Sequence, residues 1–79
     1  MNRLPRKVKV GLEVTLSINQ VTPSILAGII GPNKAGAWDE ATMTIWIDKT
    51  LSLKRKWAAF RHELGHALWD IHEKENGGI

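Results

Sequence analysis

The sequence predicts a small α+β domain: a small antiparallel sheet, made of one or two N-terminal strands plus a hairpin, packed on a long C-terminal helix. Three observations carry this. Residues 8–18 alternate apolar and polar with period two, residues 43–48 do so again, and from Leu53 the apolar spacing becomes helical. At 79 residues, the chain 1–79 is expected to form a single domain with a small core.

Val8, Val10, Leu12, Val14, Leu16 and Ile18 stand at even positions, separated by Lys7, Lys9, Gly11, Glu13, Thr15 and Ser17. That pattern describes one strand, or two joined near Gly11, with a single buried face. Residues 21–30 read two ways. Pro23 beside Thr22 or Ser24 could open a short helix, whereas Ile25-Leu26-Ala27-Gly28-Ile29-Ile30 would also serve as a buried strand. Gly31-Pro32-Asn33-Lys34-Ala35-Gly36 is a loop by composition.

Met43, Ile45 and Ile47 alternate with Thr44, Trp46 and Asp48, as the return arm of a hairpin turning near Asp39-Glu40. Thr50 or Ser52 can cap the helix that follows. Leu53, Trp57, Phe60, Leu64, Ala67, Leu68 and Ile71 form its apolar stripe, and Gly77-Gly78 offers an end.

The composition narrows the chemistry. There is no cysteine, so disulfides and thiolate metal sites are excluded, and three histidines and eight carboxylates are the strong metal ligands available. No apolar run approaches a membrane span, and the basic N-terminus leads into no apolar signal segment. A cytoplasmic protein without a membrane partner is expected. Net charge is +3, with Arg3, Arg6, Lys7 and Lys9 clustered. A solvated terminus explains that cluster most simply, and nucleic acid stays as a weaker candidate partner. A small core and four tryptophans also suit a homo-oligomer.

His62-Glu63-Leu64-Gly65-His66 lies in the helical segment, opposite the apolar stripe. Histidines four residues apart share one helix face, where both imidazoles can reach a single zinc ion at about 2.0–2.1 Å. Glu63 can take a proton from a water that the metal acidifies, which makes it the candidate general base. Asp70, one turn after His66, suits a hydrogen bond to an imidazole, or else is an exposed helix carboxylate. Arg55 falls on the metal-facing side, and Trp46 either lines a cleft or packs in the core.

The segment from Trp38 to Asp70 resembles the core of the zincin metallopeptidases: a strand at Thr42–Asp48, a short gap, then His62-Glu63-Leu64-Gly65-His66-Ala67-Leu68. More narrowly it is similar to small phage and bacterial proteins of the ImmA/IrrE type and to SprT-like domains. The resemblance covers under half of the chain. It implies a zinc cofactor on His62 and His66, Glu63 as general base, and hydrolysis of a protein or peptide substrate. It also implies that substrate lies along the edge strand before the helix, here Thr42 to Asp48, which would bring Thr44 and Trp46 to it.

The pattern departs from that family at the third ligand. A catalytic zinc takes three protein ligands. His72 closes the site if the helix unwinds near Trp69, and Glu73 or Glu75 could swing back from a frayed end. Otherwise two histidines act with waters or with a ligand from a partner subunit. The leading expectation is a zinc-dependent metallopeptidase. The alternatives are a non-catalytic, metal-stabilised regulatory or interaction module and, more weakly, a basic nucleic-acid-binding domain.

Overall fold

The computed structural model describes residues 2–76 apart from residue 12, and side-chain surroundings as far as residue 74. Leu12 of the first apolar run, the Glu75 side chain and Gly77-Gly78 lie outside the described residues. The described chain is α+β, with elements in the order β1 (Lys7–Lys9), β2 (Thr15–Val21), α1 (Pro23–Ile30), β3 (Gly36–Asp39), β4 (Thr44–Asp48) and α2 (Leu53–Asn76).

The first apolar run is two strands. It breaks at Gly11, whose φ of 88° lies in the left-handed region that glycine tolerates best. Val10 N–H donates to Val14 O across the turn at 2.8 Å, and β1 pairs antiparallel with β2, Val8 opposite Leu16. The ambiguous segment is a helix. The Thr22 hydroxyl accepts from Ile25 N–H at 3.3 Å and Pro23 starts the first turn, a combination that presets a helical entry.

That helix changes the sheet. Because α1 and β3 intervene between β2 and β4, the chain returns in its original direction, and β2 pairs parallel with β4. The sheet, expected to be antiparallel throughout, is mixed in the order β1-β2-β4-β3. The β3–β4 hairpin forms where expected. Ala41 N–H donates to Asp39 Oδ1, and Met43 takes a positive φ of 53° before β4 begins.

Alternation along the strands divides the core. Leu16, Ile18, Ile45 and Ile47 face α2 and are buried with Leu4, Phe60 and Ala67. Trp57 joins edge-to-face with Phe60 at 5.6 Å, and its indole N–H donates to Asn2 O, holding the N-terminal segment against the helix. Leu26 and Ala37 are buried apart from this cluster, while α1 contacts β4. The helix α1 therefore covers the opposite face of the sheet, the one carrying Ala37 and Trp46. Trp46 is half-buried there with its Nε1 enclosed and unbonded, so it packs between layers and does not line a cleft over α2.

Ser52 caps α2, its hydroxyl accepting from Arg55 N–H at 3.3 Å. Leu68, placed in the apolar stripe by spacing, is 44% exposed. At about 100° per residue it lies roughly 90° from the line through Phe60 and Ala67 that meets the sheet.

Two positions give direct tests. A Cβ on Gly36 would stand 2.7 Å from Trp46 O and 3.0 Å from the Ile47 side chain, so Gly36→Ala must push apart β3 and β4. It should destabilise by roughly 1–3 kcal/mol in urea unfolding. Gly28→Ala, in α1 with nothing near its Cβ, should stabilise by about 0.5–1 kcal/mol.

Asp48 ends β4 and accepts from both the hydroxyl and the N–H of Thr50, at 2.7 and 2.8 Å. The hydroxyl bond, then the backbone bond, hold its carboxyl below the ordinary 3.8, assisted by Lys56 and opposed by partial burial. A lowered folded-state pKa favours the folded state above 3.8, and that contribution fades as pH falls below it. The gap in unfolding midpoint between the parent and Asp48→Asn should therefore be widest near neutrality and shrink below 3.8.

Candidate metal centre

Burial of Phe60 and Ala67 on β4 turns another face of α2 toward an open cleft beside β3. His62, Glu63, His66 and Asp70 line it from the helix; Gly36 and Trp38 line it from the strand. The two histidines are exposed and one turn apart, as the spacing requires. Their Nε2 atoms converge to 3.2 Å, with the rings nearly perpendicular at 80°.

That convergence is a test of fit. Two nitrogens bonded to one tetrahedral ion at 2.0–2.1 Å must stand about 3.3–3.4 Å apart. Without an ion, the same spacing is a hydrogen bond in which one Nε2–H donates to the other ring. The observed 3.2 Å is close to the separation that two nitrogens on one ion would need. Neutral imidazoles also suit zinc as a donor set.

Glu63 is half-buried on the sheet side of the pair. A Cβ built on Gly36 would lie 3.5 Å from Glu63 Cγ, so the bare backbone of β3 lets the acidic side chain sit against the strand. In the sequence, Gly36 is marked only as part of a loop by composition. Its role depends on a contact 27 positions along the chain, which no local pattern records.

Three expected placements change. First, α2 runs unbroken through Trp69 to Asn76. His72 thus remains helical, about 9 Å further along the axis than His66 and about 120° away around the helix, outside the site. Glu73 stays on the helix too, roughly two turns beyond His66. Among the described residues, no group of three His, Cys, Asp or Glu is placed to hold one metal.

Second, Asp70 accepts from Trp38 Nε1 at 2.8 Å. It projects from α2 toward β3, and so holds the strand's indole in place of an imidazole. Third, β4 is an interior strand, hydrogen-bonded to β2 and β3. Thr44 is buried and Trp46 faces the other layer, so neither lies on an edge available to a peptide. The edge next to the histidines is β3. Arg55 lines the same cleft from the first turns of α2, as its spacing suggested.

Comparison of the chain with family models, curated proteins and solved structures finds no match. No helix among the described residues is long and apolar enough to cross a membrane.

The Trp38–Asp70 bond ties β3 to the helix that carries the histidines. Trp38→Phe or Asp70→Ala alone should each cost about 1–2 kcal/mol, since each removes one partner of a charge-assisted bond. In a double-mutant cycle read by urea unfolding, the two losses should fall short of additivity by roughly 1 kcal/mol.

Proposed function

We propose that the protein is a zinc-dependent peptide hydrolase whose working residues are His62, Glu63 and His66, with β3 as the peptide-binding edge. The observation that carries this reading is the 3.2 Å convergence of the two imidazole nitrogens beside a carboxylate and an edge strand. Zinc, when bound, supplies a Lewis acid that polarises a carbonyl and lowers the pKa of water.

The chain's own residues supply the rest. His62 and His66 bind through Nε2, oriented by the rigid turn between them. Glu63, steadied against Gly36, accepts the proton of the attacking water and returns it to the departing amine, so the carboxylate ends as it began. An extended peptide added to the outer side of β3 gains main-chain hydrogen bonds and passes its carbonyls across the histidine face. The Trp38–Asp70 bond fixes the distance between that edge and the helix.

One observation favours a second reading. The uninterrupted helix keeps His72 away from the pair, so two imidazoles are the only protein donors assembled among the described residues. A non-catalytic, metal-stabilised interaction module needs no open coordination position and is consistent with that.

Glu63→Gln separates the two. In protein purified without a histidine tag, the variant should bind zinc as the parent does, with an unchanged far-UV spectrum. On a fluorogenic peptide library its turnover should fall by about 10²–10⁴-fold. A parent with no zinc-dependent turnover would leave the module reading in place, and a variant as active as an active parent would overturn Glu63 as the base.

A further inference from the structure

The exposed stripe of α2 is self-complementary about Leu64. His62 and His66 lie two residues to either side of it, and Arg55 and Glu73 nine to either side. At about 100° per residue, Arg55, His62, His66, Trp69 and Glu73 fall within roughly 60° of one another around the helix. All five are exposed, Trp69 at 63%. The small residues Ala58 and Ala59 occupy positions related through Leu64 to Asp70 and Trp69.

We infer that two copies of this chain pair through α2, antiparallel about a twofold axis at Leu64, with one zinc ion held by His62 and His66 of both copies. The inference rests on the metal reading of this histidine pair, though not on turnover. Such an axis places each Arg55 opposite Glu73 of the other copy, which forms two ion pairs from one sequence relation. It places each Trp69 near Ala58 and Ala59 of the other copy, small residues that leave room for the indole. Four imidazoles at the centre hold the helices apart, and the residues at the matching positions beyond them are long enough to bridge that gap. Zinc then has four nitrogen donors, the closed coordination of a structural site.

The consequence is regulatory. The dimer leaves the metal no open position and covers the histidine face, so it is a latent form. The monomer keeps two positions free for solvent and substrate. Protein concentration and zinc together then set how much of the chain has an accessible site.

Analytical ultracentrifugation of untagged protein during a zinc titration tests this. Mass should pass from one chain to two, saturating at one zinc per two chains, and chelation should reverse it. Arg55→Glu and Glu73→Arg should each weaken the zinc-loaded dimer by about tenfold, and the double variant should recover most of that loss. Recovery is the decisive readout, because neither a folding defect nor simple loss of metal is repaired by adding a second charge reversal. Zinc bound at one per chain by a monomer would overturn the dimer and leave the metal reading standing. No zinc bound at all would overturn both. A zinc dimer in which the double variant is no better than either single one would overturn the antiparallel arrangement.

Discussion

Burial of Phe60 and Ala67 against Ile45 and Ile47 fixes more of this molecule than any other contact. The helix is a rigid cylinder, so anchoring one face determines the heading of every other residue on it. Glu63 and Asp70 are turned toward β3 by that anchoring, and His62 and His66 toward the open side of the cleft. A core substitution that rotated α2 by one residue would swing the imidazoles by about 100° while leaving every strand intact. The site is therefore a property of the packing as much as of the five-residue motif.

The second constraint is how closely β3 approaches. A four-residue edge strand has little of its own to hold it, and two features keep it in place. At one end, Gly36 lets the backbone meet β4 without a Cβ in the way. Two residues later, the Trp38 indole donates to Asp70 of the helix. Together they fix the width of the cleft between the sheet edge and the helix bearing the histidines. Lys74 on α2 also pairs with Glu40 in the hairpin turn, but both side chains are exposed and the pair adds little.

The local part of this architecture was legible in the sequence. Period-two alternation identified β2 and β4, the change of period located α2, and the histidine spacing placed both rings on one face away from the stripe. What was not legible depends on which elements become neighbours. Thr22 and Pro23 carried the correct signal for α1, yet the apolar run after them suits a buried strand equally well. Once that segment is a helix, β2 and β4 become parallel and β3 takes the edge. The expectation that Thr44 and Trp46 lie on an edge strand changes for this reason: alternation shows which face a residue occupies, never whether its strand is interior. Asp70 likewise finds its partner 32 residues away, beyond the reach of any helical spacing rule.

The same helix continuity that makes the histidine pair rigid also keeps His72 off its face. A break at Trp69 would have brought His72 round, at the cost of the backbone hydrogen bonds of that turn and of Ile71's packing on the core. The helix keeps both, and Trp69 stays exposed on the histidine side. On the proposed reading, a metal held by these two imidazoles would have to complete its shell from outside the turn, with solvent, substrate or another chain. Solvent and substrate leave it reactive, whereas two more imidazoles make it structural. On the proposed reading, which of these prevails would depend on what meets the exposed stripe of α2, so the chemistry of a metal there and the association of the chain would be one question, decided on the same helix face.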